Sequence, residues 1–159
     1  MPRRLTVLRH AKSDWPDGVA DHDRPLGPRG RREAPIAGQW LHEHVGSIDL
    51  VVCSTAQRTR QTLALVAPQL DPVPDSRFDE RLYDATVGGL ITVAQELPPE
   101  YGSVLFVGHN PGLEALVSVL SGSYCVLKTS ALAVMSGDGS WADVAPGWAA
   151  LDAEATARP

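Results

Sequence analysis

The chain predicts an α/β fold, a three-layer α/β/α arrangement around a mainly parallel central sheet, on three observations. Short apolar runs at 5–8, 49–53 and 104–107 read as strands buried on both faces. Longer segments with helical spacing of apolar residues separate them. Glycine and proline punctuate the joins, so strand and helix alternate as they do in parallel βα units.

The elements follow in order. Leu5-Thr6-Val7-Leu8 is the first strand, and 11–27 is a polar stretch broken by Pro16, Gly18, Pro25 and Gly27. A helix runs from Pro28 to about Val45, with Ile36, Trp40 and Leu41 expected to face inward. Its first turn carries Arg29, Arg31 and Arg32, opposed to the helix dipole, which reads as a solvated surface or as a basic end near an anion. The second strand, 49–53, leads into a helix from about Ala56 to Leu70 with Leu63, Val66, Ala67 and Leu70 along one face. Two prolines mark a turn at 71–75, and 77–83 shows no period. A helix over 86–97 stops at Pro98-Pro99. The third strand, 104–107, turns at Gly108-His109-Asn110-Pro111-Gly112 into a helix ending near Leu120. Beyond it, 131–135 and 141–144 read as strands joined by a hairpin at Gly137-Asp138-Gly139, with a third short strand over 148–151. The tail, 152–159, is small and polar and is expected to fray. No repeat or linker interrupts the chain, so 1–159 reads as one domain.

Composition narrows the function classes. The 159 residues are 43% hydrophobic and 21% charged, an ordinary globular mixture able to bury a core. A net charge of −5 argues against nucleic acid or anionic membrane as a partner. No apolar run nears a bilayer span or a signal-peptide core, which implies a cytoplasmic protein. Cys53 and Cys125 match no zinc spacing, and Cys53 closes an apolar run as a small buried thiol. Cys53 and Arg58 stand as C-x4-R, one residue short of the C-x5-R loop of cysteine phosphatases and without its glycines.

Each strong strand is followed at once by a group suited to phosphate. The first ends in Arg9-His10, a bidentate guanidinium beside an imidazole that can act as a nucleophile. The second opens Ser54-Thr55-Ala56-Gln57-Arg58-Thr59-Arg60-Gln61-Thr62, with Arg58 on the first turn of a helix; the third gives Gly108-His109. Ends of parallel strands share one edge of a sheet, where ligands bind, so Arg9, His10, Arg58 and His109 are expected to converge. Helix N-termini after Ser54 and Pro111 add affinity for an anion.

With these residues the chain resembles the histidine phosphatase superfamily, branch 1, which has the phosphoglycerate-mutase-like fold. The resemblance rests on Arg9-His10, on S-x-x-x-R-x-x-Q-T over 54–62 and on G-H-N-P-G over 108–112. Arg9-His10-Ala11-Lys12-Ser13, Asp23-Arg24-Pro25-Leu26 and Arg29-Gly30, with the small size, look most like the SixA-type phosphohistidine phosphatases. It covers about 4–120. The resemblance implies that His10 is the nucleophile and carries a phosphohistidine intermediate, and that Arg9, Arg58 and His109 clamp the phosphoryl oxygens. It implies no metal and no cofactor.

The remaining candidates are weaker. Lys12, Ser13 and Asn110 are candidate substrate contacts, with Asn110 also able to cap the helix at 111. Arg60 reads as a surface charge, His42 and His44 as a solvated face, and His22 as a loop residue beside Asp21 and Asp23, with a place at the site mouth as the alternative. Relatives acting on esters place a glutamate after an Arg-Leu pair to protonate the leaving alkoxide. Here Arg81-Leu82-Tyr83 leads to Asp84, the candidate acid, with Glu80 as the alternative, and the G-x-W-E-G segment of the mutase branch is replaced by Ala85-Thr86-Val87-Gly88. That departure favours phosphohistidine on a protein, whose leaving imidazole has a pKa near 6.5 and needs little help. The alternatives are a small phosphorylated metabolite as substrate, or a non-catalytic phosphate-binding regulatory domain. Pathway and oligomeric state are not encoded in any motif.

Overall fold

In the computed structural model, which describes residues 2–159, apolar runs and helices alternate around one six-stranded sheet. Strands β1 (Arg3–Arg9), β2 (Leu50–Cys53), β3 (Asp75–Phe78), β4 (Ser103–Gly108), β5 (Ala131–Gly137) and β6 (Ala150–Thr156) lie in the order β3-β2-β4-β1-β5-β6. The first four are parallel, β5 runs antiparallel to β1, and β6 antiparallel to β5. Helices α1 (Pro28–His44) and α2 (Gln57–Val66) cover one face; α3 (Val87–Gln95) and α4 (Gly112–Ser121) cover the other.

The inner strands β2 and β4 and the middle of β1 read as apolar runs because both of their faces are buried. Leu5, Val7, Val52, Val104 and Phe106 point into the core under α3 and α4. Their neighbours Leu8, Val51, Cys53, Leu105 and Val107 point into the core under α1 and α2. Among the described residues no helix is long and apolar enough to cross a membrane.

Several expectations need correction. The inward stripe of α1 consists of Ala34, Ala37, Gly38 and Leu41, while Ile36 and Trp40 are only half-buried. Small residues are needed there because a Cβ on Gly38 would lie 2.8 Å from the Val66 carbonyl oxygen. The segment 77–83 shows no period, yet its start belongs to β3, a polar edge strand with no apolar run. Residues 141–144 do not form a strand: Trp141–Asp143 is a single 3₁₀ turn. Trp141 is apolar because it plugs the core beside Trp148, with its indole N–H donating to the Tyr101 carbonyl at 2.7 Å.

The tail is not frayed. Residues 150–156 form β6, paired with β5 along its length, and the short strand expected at 148–151 is only its beginning. Ala157 is buried beyond it, and Arg158 reaches the buried carboxylate of Glu33 at 3.2 Å. Alternating small residues disguise an edge strand as a tail. On α1, Arg29 also pairs with Glu33, at 3.1 Å, while Arg31 and Arg32 are exposed and none of the three lines the cavity at the strand ends, so the basic first turn is a surface one.

Candidate active site

The parallel register sets the site. Arg9 pairs with Gly108 at the ends of β1 and β4, and Cys53 ends β2 one strand further on. The residues that follow these ends, His10, Ser54 and His109, are therefore delivered to one edge of the sheet. A cavity of about 200 Å³ opens there, its floor formed by Arg9, His10, Arg58 and His109. Lys12, Ser13 and Asn110 also line it.

His10 is 6% exposed, and its backbone N–H continues the ladder to the Gly108 carbonyl at 3.0 Å. Its Nδ1 lies 2.7 Å from the Ala11 carbonyl oxygen. A carbonyl can only accept, so Nδ1 carries the proton and Nε2 keeps the lone pair. Burial, reinforced by the Arg58, Arg9 and Arg24 charges, pushes the imidazole pKa down to about 4. The ring is neutral at pH 7, the state a nucleophile needs.

The His109 ring lies 5.2 Å from that of His10. Its Nε2 meets the Ser54 hydroxyl at 2.8 Å, and that hydroxyl oxygen already accepts the Ala56 N–H at 3.3 Å. The Ser54 hydroxyl can either donate to Nε2 or accept from it, and the other ring nitrogen, Nδ1, is a buried atom with no partner among the described residues. Burial, His10 and Arg58 together lower the His109 pKa to about 3.

The two arginines are held from behind. Arg58, 6% exposed on the first turn of α2, donates from Nη1 to the Asp21 carbonyl at 2.7 Å and from Nη2 to the Asp21 carboxylate at 3.2 Å. The same carboxylate accepts from Arg24 at 3.0 Å and from the Tyr83 hydroxyl at 2.5 Å, and these donors hold it far below the usual carboxylate range. Arg9 donates to the Leu127 carbonyl at 3.0 Å, as does Asn110 at 2.7 Å, while Glu114 accepts the Leu127 N–H at 2.7 Å. The Nε atoms of Arg9 and Arg58, like Nδ1 of His109, are buried without a partner among the described residues. The cavity itself is lined by Arg9, Arg24, Arg58 and Lys12 beside the two histidines, a concentration of positive charge that fits a bound oxyanion.

The rest of the 54–62 motif holds the loop that follows His10. Thr62 Oγ1 accepts the Ala11 N–H at 3.1 Å and donates to the Arg58 carbonyl at 2.7 Å. Gln61 accepts the Leu26 N–H at 2.7 Å. Gly30 lets α1 approach the same loop, since a Cβ there would run into the Lys12 backbone carbonyl.

The other candidates fall in different places. Ser13 is buried and accepts from Arg24 at 2.6 Å, so its hydroxyl serves the loop as well as the cavity wall. Lys12 is exposed at the mouth. Asn110 accepts the Glu114 N–H at 3.4 Å, a weak contact within the first turn of α4. Asp84 lies outside the cavity; it lines an adjoining one that shares His109 and Asn110. Glu80 is exposed in the 3₁₀ turn Glu80–Leu82 and lines neither. Arg60 points away, stacked on Phe78, and His44 stacks on Trp40. His22 meets the Thr55 hydroxyl at 2.9 Å and stands edge-on to Tyr83. Burial pushes the Cys53 thiol up to about 12, so it is no nucleophile.

Sequence reasoning missed Asp21, Ser54 and Glu114 as supports. Ser54 was visible as the first residue of the motif; Asp21 and Glu114 act across 37 and 13 residues of chain and carry no local signal.

The chain matches the sequence profile of the histidine phosphatase superfamily (branch 1) over residues 5–122. It is 46% identical over 158 residues to an uncharacterized protein of Mycobacterium tuberculosis, covering 91% of this chain and 96% of that one. Among solved structures it superposes on one from Nakamurella multipartitia described as a phosphohistidine phosphatase SixA, with a TM-score of 0.89 and 35% identity. That match covers 99% of this chain and 97% of the other. A protein histidine phosphatase SixA complexed with tungstate matches with a TM-score of 0.84 and 25% identity over 96% of both chains. The fold is thus that of the phosphoglycerate-mutase-like proteins, and the chain belongs to the histidine phosphatase superfamily, branch 1.

Proposed function

We propose that this phosphatase removes the phosphoryl group from phosphohistidine on a protein, through a phosphohistidine intermediate on His10 and without a metal. The observation that carries the reading is a neutral, buried His10 with Nε2 free, set among Arg9, Arg58 and His109. Nε2 of His10 attacks phosphorus and a P–N bond forms as the P–N bond to the substrate imidazole breaks. The three flanking donors carry the charge of the equatorial oxygens, the main electrostatic demand of phosphoryl transfer. The substrate ring takes a proton from solvent on the nitrogen that does not carry phosphorus, and so leaves as neutral imidazole. Water then attacks the phosphorus on His10, which regains its lone pair as phosphate departs and the water proton passes to solvent or phosphate.

The leaving group is where the substrate is decided. Among the described residues, neither Asp nor Glu lines the cavity. Asp21, the carboxylate behind Arg58, is held ionised by Arg24, Arg58 and Tyr83 and has no proton to give. Asp84 reaches the site only from the far side of His109. An alkoxide would leave poorly from such a site, whereas an imidazole with a conjugate-acid pKa near 6.5 needs little help. The tungstate complex of the SixA relative, an oxyanion in the same fold, is consistent with phosphoryl binding here.

The test is to compare turnover of histidine-phosphorylated protein with that of a panel of sugar phosphates. The reading expects the phosphoprotein to be the faster substrate. Faster turnover of any sugar phosphate would replace it with the metabolite-phosphatase alternative.

A further inference from the structure

Trp15 is 74% exposed, yet it lines the catalytic cavity. One face of its indole is covered by Arg24, whose guanidinium carbon sits 3.2 Å from a ring centroid. Arg24 itself is fixed, donating to the Asp14 carbonyl at 3.0 Å, to Asp21 at 3.0 Å and to the Ser13 hydroxyl at 2.6 Å. The loop that carries Trp15 is closed like a hairpin: Asp14 N–H donates to the Pro25 carbonyl and Gly27 N–H to the Lys12 carbonyl, each at 2.9 Å. The indole is therefore a held plane with one face on a cation and the other open at the mouth. A single exposed tryptophan on a surface means little. A fixed one on the wall of a catalytic cavity is a contact surface offered at low entropic cost.

Charge around it selects the occupant. Among the described residues the cavity is lined by cations and by no carboxylate, with Lys12 at its mouth, while outside it the loop carries the exposed carboxylates Asp14, Asp17 and Asp23. A compact metabolite would stay among the cations, whereas a polypeptide continues past Trp15 over the acidic part of the loop. A polypeptide brings one phosphoryl group flanked by neutral, apolar or basic residues, which suits an acidic rim with an aromatic plane. We propose that Trp15 is a docking contact for the polypeptide substrate, its open face receiving an apolar side chain that flanks the phosphorylated residue. This rests on the phosphohistidine reading and adds what the enzyme recognises beyond the phosphoryl group.

The test compares wild type, Trp15→Ala and Trp15→Phe on two substrates: free phosphohistidine, and a peptide with phosphohistidine flanked by leucine and lysine. Trp15→Ala is expected to lower the peptide-to-free ratio of kcat/KM about tenfold, chiefly through KM, as truncation of an aromatic anchor does. Trp15→Phe keeps most of the preference, because an aromatic face remains. An equal fall on both substrates would show that Trp15 serves only to hold Arg24, and an unaltered ratio would show no docking role; either overturns the proposal while the phosphohistidine reading stands. Wild type that turns over sugar phosphates but neither phosphohistidine substrate would overturn both.

Discussion

The floor of the catalytic cavity and its rim are built on different principles. Arg9, His10 and His109 sit at or just past the ends of β1 and β4, and Arg58 on the first turn of α2, places fixed by the register of a buried sheet. The rim, by contrast, is loop: the hairpin from Lys12 to Gly27, Tyr83 beyond its 3₁₀ turn, and the segment around Leu127. In the proposed mechanism the floor holds the groups that touch phosphorus, while the rim holds the floor and meets whatever bears the phosphoryl group. That reading puts chemistry on the rigid scaffold and selectivity on the loops.

Substitutions that separate floor from rim put this division to the test. Arg58→Ala removes a floor cation and should lower kcat/KM by about 10²–10³ on any substrate, the cost of one preorganised oxyanion donor. Asp21→Asn keeps Arg58 but weakens its hold, so a smaller loss of about tenfold is expected, with Arg58→Lys no better than the alanine variant because one ammonium cannot replace a fork. Steady-state kinetics on one aryl phosphate rank all three; a larger loss in Asp21→Asn than in Arg58→Ala would place Asp21 in the chemistry itself. Asp84→Asn should leave phosphohistidine turnover within about twofold and cost more on an alkyl phosphate, whose alkoxide needs a proton. An equal loss on both would make Asp84 a structural residue of the loop, where it adopts φ +50°.

The smallest effect is on stability. His10 and His109 are held neutral, with pKa values of about 4 and about 3, against an ordinary value near 6.5. Between those limits the unfolded chain binds more protons than the folded one, so stability rises with pH and is lost as pH falls from 6.5 towards 3. His10→Ala should therefore flatten the acid side of the urea-unfolding profile relative to wild type. Parallel profiles would mean that the ring is not held neutral by the fold.

The same contrast explains what could be read from the sequence. The strand ends were legible because a strand buried on both faces writes an unbroken apolar run, and the residue after it announces itself. Leu5–Leu8 before Arg9-His10 and Val104–Val107 before Gly108-His109 are of this kind. β3 and β6 were not legible, since edge strands need pairing and not a hydrophobic run, and Asp75–Phe78 or Ala150–Thr156 could equally be loop by composition. The rim was illegible for a related reason. Asp21 gathers Arg24, Arg58 and Tyr83 from positions up to 62 residues away, a convergence no local spacing records. Trp15 is one more loop residue by sequence, and only the stacking of Arg24 beneath it sets it apart.

The central claim is that Nε2 of His10 becomes covalently phosphorylated during turnover. Rapid acid-free quenching after mixing with a ³²P-labelled phosphohistidine substrate measures it directly. Wild type should retain label in an acid-labile, base-stable bond that maps to His10, and His10→Ala should retain none and lose turnover. Equal hydrolysis by wild type and His10→Ala, or label that maps to another residue, would contradict the account.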